Sequence, residues 1–367
     1  MNHSKIGTVE AIMLILSIIV THTVLSLPNT LLITTKSATI LNIIYVTILA
    51  VILVIIIYRL FKAFPGMDIL DVSEILGGKF LKGLLGSIFI IYFIISSSIF
   101  LRNFCECLKV VYYPPTNIIF VISFFIIAIC AANHLEFNAS LKANLIIVPA
   151  VLFSIIFLFF ANLKYFTPQR IFPILGDGIF QTFVTGLGNI SAFSGIIFLY
   201  FLPPLLKEPK KFKKIAITSI VISAIYLILT VSILLFMLSF FLKADEIMPL
   251  YTAATYIEFG TFFQRLESLF LLIWMIAFAC YLSIVSKFAI HIFRKISNIK
   301  DIKPIVYPIG IVMLAVALLP RNYAISNFYE SKVFPYLAIL LIFVVSIGIL
   351  LLAYFIKRKK VGDNKYE

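Results

Sequence analysis

Apolar stretches long enough to cross a bilayer recur along the whole of this chain, and they constrain its fold more than any single motif does. A membrane-spanning helix needs about 20 predominantly apolar residues. Hydrophobic residues make up 62% of the 367 positions and charged residues only 13%, which leaves too few polar side chains to cover a water-soluble domain. The composition therefore predicts an all-α polytopic membrane protein.

Ten membrane spans are predicted from the positions of these stretches. The first stretch lacks a small-residue cleavage site, so it is predicted to be a retained span and not a removed signal peptide. An even number of spans places both termini on the same side of the membrane. The predicted spans cover approximately residues 7–33, 38–63, 82–110, 116–133, 141–163, 177–206, 215–241, 263–292, 304–320 and 333–356.

The basic residues indicate which side that is, because short loops rich in Lys and Arg stay in the cytoplasm. When the N-terminus is cytoplasmic, 21 of the 30 Lys and Arg residues fall in cytoplasmic loops and ends. Both termini are therefore predicted to be cytoplasmic. The net charge of +14 is interpreted as this topology signal, since the basic residues cluster between apolar stretches, and nucleic acid is not an expected partner.

Glycines interrupt one apolar stretch, residues 174–204, at Gly186, Gly188 and Gly195. A helix interruption inside hydrocarbon leaves backbone groups without partners, and it is tolerated only where protein packs around it or where it lines a wet cavity. The glycines also fit a second interpretation, in which small residues allow close packing of neighbouring helices. The first interpretation makes this stretch a candidate binding site.

A matching polar patch that ends in proline, residues 21–28, lies in span 1. Transporters built from inverted repeats place broken helices at corresponding points of the two halves, with the substrate between them. We therefore predict two five-helix repeats, residues 1–170 and 171–367, in one integrated membrane domain with broken helices 1 and 6.

The two breaks predict a polar pocket. A half-helix that restarts after Gly188 would have Asn189 or Ser191 as its N-cap, and its positive end suits a carboxylate. In the first break, the hydroxyls of Thr21, Thr23 and Ser26, or carbonyls freed by unwinding, would receive an ammonium group.

Two further spans offer wall residues for this pocket. Tyr92 and Ser96 lie four residues apart and therefore share one face of span 3, although such a stripe is often only a set of interhelical hydrogen bonds. Tyr281 lies at mid-depth in span 8, opposite the breaks. His22 is interpreted as a neutral side chain that is hydrogen-bonded to a neighbouring helix, in preference to a pH switch.

Several residue types that would indicate other functions are missing from the pattern. No Asp, Glu or Lys is predicted in the middle of a span, which disfavours proton-coupled transport. No nucleotide-binding loop, nucleophile with a base, or paired carboxylates is found, so neither an enzyme nor a cofactor is predicted. The four cysteines lack the spacing of metal ligands, so no metal site is predicted either.

Four motifs, taken in their order along the chain, resemble the B-subunit family of spore germinant receptors, also called endospore germination permeases. That family is similar to the amino acid/polyamine/organocation transporters, whose LeuT-like five-plus-five repeat places the substrate between spans 1, 3, 6 and 8. The motifs are Ser26-Leu27-Pro28, the loop 172–178, Phe201-Leu202-Pro203 with the basic run 207–214, and the start of span 8 at 265–274.

The resemblance implies a sensor in the inner membrane of a bacterial endospore. A small-molecule germinant, typically an amino acid, would bind near the midplane and signal to partner A and C subunits. A secondary amino-acid transporter and a ligand-free membrane scaffold are the alternatives. The loop 243–262 fits either a lid or docking element, or a simple connector. The ligand-binding residues expected from the pattern and the resemblance together are Thr21, Thr23, Val24, Ser26, Tyr92, Ser96, Gly188, Asn189, Ser191, Ser194, Gly195 and Tyr281.

The predicted orientation can be tested with reporter fusions in a Gram-negative host. A green fluorescent protein fused after Glu367 should fluoresce, because it stays in the cytoplasm. Alkaline phosphatase fused after Arg170, in the loop between spans 5 and 6, should be active because it is exported. The reverse result at both positions would contradict the orientation.

Overall fold

The computed structural model describes residues 5–112, 114–135, 137–237, 248–257, 266–299, 301 and 303–363, with side chains described up to 357. Within these ranges every regular element is helical, and one isolated parallel bridge joins Ile6 and Leu206. Seven helical stretches of the described chain are long and apolar enough to cross a membrane, and three shorter apolar helices cover Thr8–Val24, Ile118–His134 and Lys303–Leu318. The prediction of an all-α polytopic membrane protein is confirmed. The division into repeats at residues 1–170 and 171–367 stays a prediction.

The helices are numbered along the chain. Between α6 and α7 lies a stretch called here the central segment, Phe180–Tyr200. The bounds are α1 Thr8–Thr21, α2 Leu27–Thr35, α3 Thr39–Phe61, α4 Ile69–Tyr112, α5 Ile118–His134, α6 Phe137–Ala161, α7 Phe212–Phe236, α8 Pro249–Thr255, α9 Leu266–Ser297, α10 Lys303–Leu318 and α11 Tyr323–Lys357.

The first membrane helix is interrupted where the polar patch predicts it. Helix α1 ends at Thr21, one 3₁₀ turn covers His22–Val24, and Leu25 leaves helical geometry with φ −104° and ψ −133°. Helix α2 then starts with Pro28 in its first turn, where the missing N–H of proline costs no helix hydrogen bond. The interruption therefore separates two short helices within one apolar stretch.

The central segment is distorted, but not in the way that its glycines predict. Residues Phe180–Val184 form a π turn and Thr185–Tyr200 form 3₁₀ turns, and Phe193 alone departs from helical angles, with φ −96° and ψ 25°. The predicted restart of a helix after Gly188 is wrong, because helical turns continue through Gly188 and the two predicted N-caps. Runs of 3₁₀ helix longer than 3–4 residues are uncommon, so this segment is an unusual stretch of backbone.

Contacts with α1 and α9 place both distorted regions near the centre of the molecule. Helix α1 packs against α6, α7, α9 and the central segment, while α9 packs against α4, α5 and α6. Aromatic rings fill the space between α4 and its neighbours, with Phe93 stacked on Phe198 at 4.7 Å and Phe104 stacked on Phe278 at 4.0 Å between ring centroids. The break in the first helix is therefore surrounded by protein, as a break in hydrocarbon must be.

An ion cluster holds the start of α4 against the end of α9. The Lys295 Nζ lies 2.6 Å from Asp68 Oδ2 and 2.7 Å from Asp71 Oδ2. Asp68 also accepts the backbone N–H groups of Leu70 and Asp71, which caps α4. Burial raises the pKa of the Asp68 carboxyl, and the Lys295 ammonium opposes that shift. The start of α4 is thus fixed to the end of α9, and the non-helical residues Gly77 and Gly78 separate it from the part of α4 that lines the cavity described below.

The loop predicted at 243–262 falls only partly on described residues. Its middle forms α8, where the Ala253 carbonyl accepts a hydrogen bond from Asn162 Nδ2 at 3.3 Å. Its acidic residues Asp245, Glu246 and Glu258 lie outside the described residues. The part that the structure describes is therefore joined to the end of α6.

The three glycines of the central segment have different surroundings. A Cβ atom at Gly195 would lie 2.6 Å from Ile19 Cγ1, and one at Gly186 would collide with Asn42 and Thr35. A Cβ at Gly188 would meet nothing within 4 Å. Close helix packing thus explains Gly186 and Gly195, and Gly188 faces open space.

This difference predicts opposite effects of two alanine substitutions. Gly195→Ala should lower stability by about 1–3 kcal/mol, because the added methyl group overpacks the contact with α1. Gly188→Ala should stay close to the wild type. Thermal unfolding of the purified chain in detergent measures both, and equal melting temperatures for the two variants would contradict the packing interpretation.

Candidate ligand-binding cavity

A cavity of about 390 Å³ lies at the break of the first helix, enclosed by α2, α4, the central segment, α9 and α11. Its volume falls in the range of small-molecule sites, about 300–1,000 Å³. Nine of the twelve residues expected from sequence line it together: Ser26, Tyr92, Ser96, Gly188, Asn189, Ser191, Ser194, Gly195 and Tyr281.

The other three expected residues, Thr21, Thr23 and Val24, do not line the cavity. Thr21 Oγ1 donates to the Ser17 carbonyl at 2.6 Å, and Thr23 Oγ1 donates to the Val20 carbonyl at 2.7 Å. The Thr23 hydroxyl also lies 3.2 Å from the Tyr226 hydroxyl of α7. These hydroxyls bind backbone carbonyls next to the break, and the Thr23 hydroxyl also contacts α7. Their role in this structure is therefore to stabilise the backbone of the break.

His22 is the residue of the 3₁₀ turn that faces the cavity. Its ring stacks on Phe100 of α4 with 4.2 Å between centroids, and its Nε2 lies 3.1 Å from the Tyr281 hydroxyl of α9. The predicted hydrogen bond between His22 and a neighbouring helix is therefore present. It joins the break to both α4 and α9 across the cavity wall.

Helix α4 contributes a wall that is partly aromatic and partly polar. Ser96 Oγ donates to the Tyr92 carbonyl of its own helix at 2.6 Å, so the Ser96 hydroxyl oxygen remains an acceptor toward the cavity. Tyr92 meets Phe334 of α11 edge to face, with 6.5 Å between centroids. Aromatic surface with a few hydroxyls is typical of sites that bind small organic molecules.

Asn42, a residue of α3 that the pattern does not single out, holds the central segment in place. Its Nδ2 donates to the carbonyls of Thr182 at 2.8 Å and Gly186 at 3.1 Å, and its Oδ1 accepts from Asn189 Nδ2 at 2.7 Å. Asn42 is fully buried. Its signal in the sequence is a single amide in an otherwise apolar span, the kind of polar side chain that binds across helices in membranes. Asn189 is thus occupied by Asn42 and does not cap a helix.

Helix α11 supplies the one wall that the sequence pattern does not anticipate. The predicted last span, 333–356, begins after Glu330, but α11 begins at Tyr323 and contains a π turn at Tyr329–Val333. Glu330, Ser331 and Lys332 of this turn line the cavity, as do Phe334 and Pro335 just beyond it. The prediction that no Asp, Glu or Lys lies in the middle of a span stays a prediction, but it overlooks Glu330 near the start of α11, because the charges of the π turn mark the end of the apolar run.

The Glu330 carboxylate connects α11 to two other walls. Asn103 Nδ2 of α4 donates to Glu330 Oε2, and Ser26 Oγ from the break lies 3.4 Å from Glu330 Oε1. Asn103 is fully buried, and Glu330 is partly buried. The cavity thus has a carboxyl group on α11 whose hydrogen-bond partners, from α4 and the break, are neutral.

The sequence of the chain is similar to proteins of known families. A family profile described as spore germination protein matches residues 5–324. The spore germination protein GerQB of Bacillus cereus is 25% identical over 214 residues, which cover 56% of this chain and 57% of that protein. The chain thus spans little more than half the length of this curated relative.

The Asn42 contacts predict that the central segment depends on this one side chain. Asn42→Leu keeps the size of the residue but leaves two carbonyls and the Asn189 amide without their partner, and each buried unsatisfied group costs about 1–3 kcal/mol. The melting temperature of the purified chain in detergent should fall clearly. Thr47→Val on the same helix removes only a hydroxyl bonded to its own turn and serves as the control. An Asn42→Leu variant as stable as this control would contradict the role of Asn42.

Proposed function

This chain belongs to the spore germination protein family, that of the germinant receptor B subunits, and we propose that it senses a small-molecule germinant in the cavity around the first-helix break. The observation that carries the proposal is the convergence of nine sequence-distant expected residues on one cavity. We propose an amino acid as the ligand, partner A and C subunits as the recipients of the signal, and the inner membrane of a bacterial endospore as the location.

The architecture that we propose is the ten-helix, five-plus-five LeuT-like arrangement. Seven long and three shorter apolar helices supply ten candidates for the spans. The interrupted first helix and the distorted central segment stand where broken helices 1 and 6 are expected, and the cavity is lined by the predicted spans 1, 3, 6 and 8, together with α11. These features support the arrangement through local geometry and through the order of elements around the cavity.

Signalling requires that the germinant binds one arrangement of the helices more tightly than another. A ligand shifts a conformational equilibrium only by its difference in affinity for the two states. The π and 3₁₀ turns of the central segment are suitable moving parts, because such turns within a helix often mark hinges and functional sites. Ligand contacts with Ser191 and Ser194 on one wall and Tyr281 on another would favour the arrangement in which these walls lie closest.

A secondary amino-acid transporter remains the alternative, and one observation favours it. Glu330 is an ionisable residue within a helix long and apolar enough to span a membrane, and coupled transporters use such residues as ion or proton relays. Concentrative uptake of a labelled amino acid into liposomes that contain this chain alone would support the transporter. Binding without uptake supports the sensor.

Blocking the cavity should abolish the response to germinant. Ser191→Trp places an indole into the space that Ser191 lines, so spores carrying this variant should no longer lose optical density with any of the 20 L-amino acids that trigger wild-type spores. Thr47→Val, on α3 and outside the cavity, removes only a hydroxyl bonded to its own turn and should leave the response within about twofold of wild type. Detection of the variant chain in spore membranes controls for assembly. A normal response of the blocked and assembled variant would contradict a germinant site in this cavity.

A further inference from the structure

Glu330 lies within α11 and faces the cavity, where its hydrogen-bond partners come from α4 and the first break. It is seven residues beyond the first residue of α11, Tyr323, and a helix rises about 1.5 Å per residue, so its Cα is about 10 Å from the start of the helix. A carboxylate within a helix that is long and apolar enough to span a membrane is costly unless it is paired, and it marks a functional site by default.

No cation of the described chain pairs with this carboxylate. The ion pairs of the described residues lie elsewhere, and the partners found for Glu330 are the neutral Asn103 and Ser26. Arg102, the neighbour of Asn103 in sequence, is bound to Glu106 at 2.7 Å and to the Ala317 carbonyl at 3.4 Å. The guanidinium of Arg102 is thus paired with the carboxylate of Glu106 and not with that of Glu330.

The network around Glu330 has more acceptors than donors. Asn103 uses its Nδ2 toward Glu330, and its buried Oδ1 has no hydrogen-bond partner within the described structure. A protonated amine brings three N–H donors and a positive charge, which is what a carboxylate bound only by neutral donors lacks. A hydroxyl brings one donor and no charge, so it compensates this site far less well.

The other charged and titratable groups on the cavity wall restrict the ligand further. Lys332, from the same π turn, is exposed at the wall and adds a positive charge. His22 is bound to Tyr281, and Tyr92 and Tyr336 are the remaining phenols on the wall. A ligand with a single amine and a carboxylate suits the Glu330 and Lys332 pair, whereas a ligand with two positive charges would be repelled by Lys332.

We infer that Glu330 binds the protonated amine of the ligand and is the residue that selects amino compounds over their hydroxy analogues. The inference rests on the proposed function and adds to it an orientation: the amine points to α11 and α4, not to the carbonyls of the first break. The amine also competes for the carboxylate that Ser26 now binds at 3.4 Å. Ligand binding therefore acts directly on the link between α11 and the break of the first helix.

The test compares nearly isosteric pairs of ligands that differ in amine against hydroxyl: L-alanine and L-lactate, L-valine and L-2-hydroxyisovalerate, and L-phenylalanine and L-phenyllactate. Binding to the purified full-length chain in lipid nanodiscs is measured from the rise in melting temperature with ligand concentration. The wild type should bind at least one amino compound at least about tenfold more tightly than its hydroxy partner, since hydrogen bonds between charged groups are about twice as strong as neutral ones.

Two variants assign this preference to Glu330. Glu330→Gln keeps the shape and removes the charge, so the amine preference should fall to about twofold or less even if overall stability changes. Glu330→Asp keeps the charge and should retain the preference with weaker binding. Asp177→Asn, which neutralises an exposed carboxylate that is paired with Lys36, controls for general charge effects and should leave the preference intact.

Each outcome bears on either the inference or the proposed function. Failure of every amino compound to bind the wild type, or equal binding of both members of each bound pair, overturns the inference. An amine preference that persists in Glu330→Gln also overturns it. The proposed function is judged separately by the spore response of Ser191→Trp, so a cavity that responds to germinant without using Glu330 for the amine leaves the sensor proposal standing.

Discussion

The structure depends on one constraint: hydrocarbon offers no hydrogen-bond partner to a backbone amide or carbonyl. The apolar stretches leave α geometry at Leu25 and in the central segment, and both of these places are enclosed by other helices. At the first, the hydroxyls of Thr21 and Thr23 bind carbonyls of the preceding turn. At the second, Asn42 binds two carbonyls from a neighbouring helix. The cavity lies where these departures meet, because only departures supported in this way can persist inside a membrane protein.

Local pattern was sufficient to locate the first break but not to say which of its residues face the cavity. Pro28 and the polar patch before it mark the interruption, and the structure has it there. Which residues of the break face the cavity depends on the 3₁₀ turn. This turn advances about 120° per residue, whereas an α-helix advances about 100°. In that turn His22 faces the cavity and Thr23 faces α7. The backbone geometry of the break was not predictable from residue types, so the polar residues of the patch could not be assigned to ligand or to structure.

The glycines of the central segment also could not be interpreted from the sequence alone. A glycine in a membrane helix is compatible with close packing and with an opening, and only the neighbouring helix decides between them. Gly195 meets Ile19 and Gly186 meets Asn42, whereas Gly188 meets open space. The predicted N-cap at Asn189 fails for a related reason, since its amide has a better partner on α3. Contacts between residues about 150 positions apart in sequence, such as this one, leave no local signal.

For the last helix, the apolar stretch predicts a span that begins too late in the chain and therefore leaves out a charged residue of the helix. A window of apolar residues ends where charges begin, so Glu330, a carboxylate one-fifth of the way along α11, is assigned from sequence to the loop before the helix. The π turn at Tyr329–Val333 has a further effect. A regular α-helix presents residues three and four apart on one face, yet the consecutive residues Glu330, Ser331 and Lys332 and then Phe334 and Pro335 all line the cavity. The wider turn brings charge and aromatic surface to the same wall. This turn is therefore what makes α11 a wall of the site. Glu330 gives the cavity an ionisable group, so a lack of charges no longer disfavours ion-linked function there.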